Sequence, residues 1–207
     1  MLSILKLEGA DTSGLYDFYK VRIEQVGSAL SEYDRMLLDY VHARFDRQNR
    51  RIVHAGTGLG TLPSALAMMG YTVAGVEQDA RRFRAADQVR AALAEAWPST
   101  AERYVLVPGQ FPTVLAETPW IAPETILIFT NCGGSWPEDL TERVITSFAG
   151  FGDILLDTRL FGNVRNTPAE REMLANRFEA QGLMLTPIPE SPPGAFYHHL
   201  QPRRRDQ

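Results

Sequence analysis

The sequence predicts a three-layer α/β fold: a mostly parallel seven-stranded sheet with one antiparallel strand near the carboxyl terminus, preceded by two helices. Three observations predict it. From residue 51 onward, short apolar runs alternate with helical stretches, the pattern of a parallel sheet covered by helices on both faces. The first apolar run, Arg51–Ala55, feeds straight into glycines at 56, 58 and 60. The last two runs are separated by Pro192-Pro193-Gly194. So tight a turn joins antiparallel neighbours, because a parallel return needs a crossover.

The elements follow in order. Leu15, Phe18, Tyr19, Ile23, Val26 and Leu30 share one helical face within residues 12–30, and Met36, Leu37, Tyr40, Val41 and Phe45 share another. After a polar break at 47–51 comes the first core strand. Thr61–Met69 reads as a helix stopped by Gly70. The second strand covers 71–77. Asp79 is placed to cap a long helix ending at Trp97-Pro98. Tyr104–Val107 is a short third strand, and Thr125–Thr130 is the strongest strand signal in the chain. Ser135-Trp136-Pro137-Glu138 has the spacing of a capping box and opens the next helix. Asp153–Asp157 is the fifth strand. Thr167-Pro168-Ala169-Glu170 opens a further helix that Gly182 ends. Strands at Leu183–Ile188 and Ala195–Gln201 complete the sheet.

Composition narrows the function. A chain of 207 residues, 44% hydrophobic and 22% charged, is expected to form one soluble globular domain with a sizeable core. The net charge of −4 supplies no basic field for nucleic acid, and Arg203-Arg204-Arg205 reads as part of a solvated tail. Cys132 is the single cysteine, which excludes an internal disulfide and speaks against a cysteine metal site. No segment has the length or pattern of a membrane span or signal peptide, so a cytoplasmic protein without membrane partners is expected.

Strand, glycine loop, helix, strand and acid form one unit, with Glu77 lying 21 residues after the first glycine. Such a unit holds a nucleoside-bearing cofactor at the carboxyl edge of a parallel sheet. With Gly56-x-Gly58-x-Gly60 at its first loop, the region 51–201 resembles the class I (Rossmann-like) S-adenosylmethionine-dependent methyltransferases. The glycine spacing favours that family over dinucleotide binders, whose third glycine would fall at Thr61.

The resemblance implies S-adenosyl-L-methionine as cofactor and three regions: a helical cap over residues 1–49, a cofactor-binding domain over 50–201, and a disordered tail over 202–207. It also implies roles for residues. His54, Ala55, Gly56, Thr57, Gly58 and Gly60 would approach the methionine part through backbone amides. Glu77 would accept ribose hydroxyls, with Gln78 beside the adenine. Gly109, Gln110 and Phe111 would border the adenine edge and face, and Thr130 and Asn131 the methyl group. His54 departs from the family, which usually has an acid there, and Gln110 stands where an Asp is usual.

Other residues carry two readings each. His54 either contacts the cofactor or is a satisfied histidine at a strand end. Asp157 and Arg159 form either a structural ion pair or an acceptor contact, and Asp157 and His54 are the candidate bases. Asn131, Ser135 and Trp136 lie on the edge where an acceptor would bind. Cys132 reads as a small buried filler rather than a nucleophile. His198 and His199 alternate in a strand, so one faces solvent and one the sheet, and no metal site is expected. Tyr16, Tyr19, Tyr33 and Tyr40 are helix-packing aromatics from which one or two would close over the cofactor.

The expected activity is methyl transfer to a small-molecule acceptor. The alternatives are a non-catalytic binder of S-adenosylmethionine or its demethylated product, an aminopropyltransferase, or a nicotinamide-dependent oxidoreductase.

Overall fold

A computed structural model describes residues 30–116, 118–130, 132, 138–161, 167–189 and 196–203. All of the expected helix over 12–30 except Leu30, the capping residues at 135–137 and the turn at 192–194 lie outside these residues.

Seven strands form one sheet: β1 (Arg51–Ala55), β2 (Thr72–Glu77), β3 (Tyr104–Pro108), β4 (Thr125–Phe129), β5 (Asp153–Asp157), β6 (Leu183–Pro187) and β7 (Tyr197–Pro202). Their spatial order is β3-β2-β1-β4-β5-β7-β6. The first five pair in parallel, and β7 runs antiparallel to both β5 and β6. The mostly parallel sheet with its one antiparallel strand is therefore as the sequence predicts. The chain moves outward from β1 to β3, then returns to the other side of β1 with β4. That reversal opens a crevice at the carboxyl ends of β1 and β4, the usual ligand position in open α/β sheets.

Side-chain alternation along the strands divides the core into two halves. Ile52, Val73, Ile126, Ile128 and Leu155 face one side, where the helices Glu32–Arg44, Thr61–Met68 and Ala80–Ala96 pack. Val53, Ala74, Leu127, Phe129 and Leu156 face the other, against Glu138–Ser147 and Pro168–Glu179. Both faces of the central strands are covered, which is why β4 and β5 are buried along their whole length.

The helix Glu32–Arg44 opens with a capping box in which Ser31 and Asp34 satisfy each other's backbone amides. It buries Leu37 and Val41 in the first core half. Its far end is held by the Tyr71 hydroxyl, which donates to the Phe45 carbonyl at 2.8 Å.

A polar network closes the amino-terminal end of the sheet. The Asp153 carboxylate accepts from Arg50 at 2.6 Å and from Gln201 at 3.0 Å, and its Oδ1 lies 2.8 Å from His199 Nε2. The other ring nitrogen of His199 meets the Tyr40 hydroxyl at 2.9 Å. Of the two adjacent histidines, His199 is thus the buried one. Tyr40 packs at this end of the molecule, and Tyr33 packs on Tyr197 with ring centroids 5.3 Å apart.

Candidate active site

Three glycines in five residues shape the loop after β1. Gly56, Gly58 and Gly60 have φ of 69°, 59° and 75°, a region that side chains with a Cβ rarely adopt. Space enforces the same choice. A Cβ on Gly56 would lie 2.9 Å from Cys132 Sγ, and one on Gly60 would lie 2.7 Å from the Tyr104 hydroxyl. The loop is stitched by its own amides: Thr57 N–H donates to the Val76 carbonyl at 2.9 Å and Gly60 N–H to the Thr57 carbonyl at 3.0 Å. Gly60 then caps the helix Thr61–Met68, whose amino-terminal amides carry the positive end of the helix dipole.

Glu77 ends β2 beside this loop and is 2% exposed. Its Oε2 accepts from Gly58 N–H at 2.8 Å, and its Oε1 accepts from Asp79 N–H at 2.8 Å. One carboxylate therefore fastens the glycine loop to the start of the next helix. An ionised carboxylate offers about four acceptor positions, so this latch leaves acceptor capacity over. Asp79 in turn caps the helix Ala80–Ala96 by accepting from Arg81 N–H at 3.0 Å and Arg82 N–H at 2.9 Å. The Arg82 amide in particular, together with Arg81, holds the Asp79 carboxyl below the usual carboxylate range against its slight desolvation.

A pocket opens on this constellation. Of the sequence-predicted residues, Ala55, Gly56, Glu77, Gln78, Gly109, Gln110 and Phe111 line it. Gly109 has φ of 138° and donates to the Glu77 carbonyl at 3.0 Å, which holds the loop after β3 against β2. Phe111 is anchored by Phe129, with centroids 5.6 Å apart. The pocket has a volume of about 50 Å³.

Residues the sequence reading did not assign also line the pocket: Val76, Arg82, Phe129, Cys132, Leu140 and Val144. Arg82 follows from the capping role of Asp79, which sets the first turn of its helix at the carboxyl edge. Leu140 and Val144 are one helical turn apart, a spacing visible in the sequence. Cys132 is more than a filler. Its thiol donates to the Ala55 carbonyl at 2.9 Å, joining the loops after β1 and β4. Burial pushes this thiol's pKa upward, with the charges of Glu77 and Asp157 adding to the effect, so it stays protonated.

The other predicted residues take different positions. His54 does not line the pocket. It faces the first core half and lies 3.2 Å from the Thr57 hydroxyl through Nδ1. Burial lowers its pKa from 6.5 to about 4, so at neutral pH it is an uncharged ring behind the loop. Thr57, Gly58 and Gly60 form the loop's buried side, and Thr130 is buried at the end of β4. Asn131, Ser135 and Trp136, with Tyr16 and Tyr19, lie outside the described residues.

Asp157 and Arg159 form an ion pair. Arg159 donates to the Asp157 carboxylate from Nε at 3.0 and 3.1 Å and from Nη2 at 2.6 Å, and its backbone N–H adds a bond of 3.0 Å. His198 faces the second side of the sheet, with its Nδ1 3.0 Å from the Phe196 carbonyl; burial lowers its pKa, partly offset by that contact. Among the described residues no three His, Cys, Asp or Glu side chains cluster closely enough to hold a metal ion. No described helix is long and apolar enough to cross a membrane.

Solved methyltransferases share this architecture. The CcbJ methyltransferase from Streptomyces caelestis superposes with a TM-score of 0.57 at 14% identity, over 82% of this chain and 89% of that one. Magnesium protoporphyrin IX methyltransferase from Synechocystis PCC 6803, solved with bound SAM, gives 0.55 at 14% identity over 82% and 76%. The glycopeptide N-methyltransferase MtfA in complex with S-adenosyl-L-homocysteine gives 0.56 at 11% identity over 81% and 85%. No protein-family model matches the sequence, and no curated protein matches it. At these identities the likeness establishes the fold: the chain carries the class I methyltransferase architecture.

Proposed function

We propose that this protein binds S-adenosylmethionine in the pocket beside Glu77 and transfers its methyl group to a small-molecule acceptor. The observation that carries the reading is the Glu77 latch. A buried carboxylate, immobilised by Gly58 and Asp79 amides, faces a pocket bordered by the glycine loop and by Gln110 and Phe111. The residues fit the cofactor in chemistry. Glu77 has acceptor positions left for ribose hydroxyls, Gln78, Gln110 and Phe111 offer polar edges and a ring face to an adenine, and the amides near Gly56 suit an amino-acid carboxylate. The volume of about 50 Å³ is well below the ~300 Å³ or more of a ligand site. Binding therefore requires the pocket to widen.

The bound cofactor supplies an electrophilic methyl group, and this chain supplies orientation and exclusion of water. The apolar wall of Phe111, Phe129, Leu140 and Val144 keeps one side of the pocket dry. Glu77 fixes the position of the nucleoside along the sheet edge. His54, neutral and turned toward Thr57, is poorly placed to act as base on a ligand in the pocket. Asp157 spends its carboxylate on four Arg159 bonds, so it is not free to turn toward a ligand in the pocket. We read residues 1–49 as a helical cap over the cofactor, and 50–201 as the cofactor-binding unit.

The neutral ring at position 54 favours a second reading, a protein of this fold that binds the cofactor or its product without turnover. A thermal-shift panel tests both. Saturation at 100 times the dissociation constant contributes about 2.7 kcal/mol, which for a chain of this size raises Tm by roughly 5–10 °C. S-adenosylhomocysteine is expected to give that shift and nicotinamide dinucleotides none. A shift with dinucleotides alone overturns the proposal. A shift with S-adenosylhomocysteine but no methyl transfer to any acceptor in a broad panel leaves the second reading.

A further inference from the structure

We propose that Arg159 is the anchor for an anionic group on the methyl acceptor, so that the acceptor carries a carboxylate or a phosphate. The inference rests on the cofactor reading above and names the acceptor class for the same edge of the sheet.

The position comes from the strand register. Phe129 of β4 pairs with Leu156 of β5, which sets Asp157 level with Thr130. Phe129 lines the pocket, and Arg159 stands two residues beyond the end of β5 on the same carboxyl edge. Glu77 lies on the opposite flank, past β1 on β2. A ligand whose sugar sits at Glu77 and whose other end crosses β1 and β4 points its reactive end toward β5. An acceptor approaching that end meets Arg159.

The guanidinium makes several contacts for an exposed group. Asp157, only 2% exposed, takes Nε and Nη2 in a fork, and the Arg159 backbone amide bonds to the same carboxylate. The cation also lies 5.4 Å above the Phe196 ring. The Phe196 backbone is itself held, since its carbonyl accepts from Thr158 N–H at 3.0 Å and from the Thr158 hydroxyl at 3.1 Å. Yet the Arg159 side chain is 40% exposed, and its Nη1 makes no hydrogen bond to any described residue. A guanidinium fixed on three sides, with one N–H₂ edge open, is preorganised for a planar or tetrahedral anion. Tyr33 and the buried Tyr197 pack against each other nearby, their ring centroids 5.3 Å apart.

The test titrates benzoate, phenyl phosphate and benzamide into protein saturated with S-adenosylhomocysteine, following the arginine Nε–H resonances by NMR. The Arg159 signal is assigned by its loss in Arg159→Gln. One of the two anions is expected to shift that signal and to bind at least tenfold more tightly than benzamide. Benzoate as the better ligand identifies a carboxylate-bearing acceptor, and phenyl phosphate a phosphorylated one. Arg159→Gln is expected to abolish the preference while S-adenosylhomocysteine affinity stays within about twofold. Should that variant fail to fold, Arg159→Lys retains a charge for Asp157 but removes the outward edge, and the same loss is expected. Equal binding of benzamide, no anion binding to the saturated protein, or an unchanged preference in the variant overturns the proposal. Repeating the titration without S-adenosylhomocysteine separates the two readings. If that ligand fails to bind while anions still shift Arg159, the cofactor assignment falls and the anion site stands.

Discussion

Replacing Glu77 with glutamine keeps the side chain's length and removes its charge. In the structure both carboxylate oxygens are acceptors, one for Gly58 N–H and one for Asp79 N–H, each at 2.8 Å. Glutamine has a single acceptor oxygen. One amide keeps a weaker neutral bond, and the other faces an NH₂ donor. A hydrogen bond to a charged group contributes about 1.5–3 kcal/mol, a neutral one about 0.5–1.5, and a buried N–H without a partner costs about 1–3. Relief from burying a charge offsets part of the sum, leaving a net loss of about 2–3 kcal/mol. Since 1 kcal/mol moves Tm by about 2–4 °C in a chain of this size, Glu77→Gln is expected to melt roughly 4–12 °C lower. Urea unfolding with an unchanged slope measures the same loss as a free energy. Calorimetry should also show S-adenosylhomocysteine bound at least ~10-fold more weakly, because the ribose acceptors go with the charge. A melting point within a degree of the parent, together with unchanged affinity, refutes the reasoning.

Three further predictions follow from other sites. The proton balance at His54 is directional: its pKa is depressed in the folded state, so the unfolded chain binds more protons between pH 6.5 and about 4. Stability should therefore fall as pH drops through that window, by up to about 3 kcal/mol, and His54→Gln should flatten the profile measured by urea unfolding. Gly56→Ala sets a Cβ 2.9 Å from Cys132 Sγ at φ of 69°; it should lower stability by about 1–2 kcal/mol or more and sharply weaken S-adenosylhomocysteine binding in the same titration. Asp153→Asn breaks the buried carboxylate's bonds to Arg50 and His199 at the amino end of the sheet. It should cost about 2–4 kcal/mol at neutral pH and leave ligand affinity unchanged. Burial disfavours the charged Asp153, but its His199, Gln201 and Arg50 contacts together outweigh burial and lower the pKa below 3.8; that contribution is present above the unfolded value and lost as pH falls through the folded one.

Local signals carried much of the fold. β1 and β5 match the expected strands residue for residue, since each is a short apolar run between polar or glycine breaks. Asp79 and Thr167 cap the helices their spacing announces. The pocket half built from consecutive residues was legible for the same reason: Gly56 and Ala55, Glu77 and Gln78, and 109–111 each belong to one loop. What escaped was the part made by distant segments. Cys132 meets Ala55 and Gly56 only because β4 returns beside β1 after the chain has built β2 and β3. His54 illustrates a different limit. Strand alternation sets it on the face opposite Ala55, but only the packed helices reveal which face holds the pocket. Asp157 and Arg159, two residues apart, admitted two readings in sequence; the fork between them is plain only once the turn after β5 is formed.

A crystal structure of the protein grown with S-adenosylhomocysteine tests whether a nucleoside settles against the Glu77 carboxylate. The predicted result is electron density with the ribose hydroxyls on Glu77, the base between Gln78 and Phe111, and the amino-acid tail at the 56–60 loop. Density at any other site, with the Glu77 pocket still closed at saturating ligand, would contradict it.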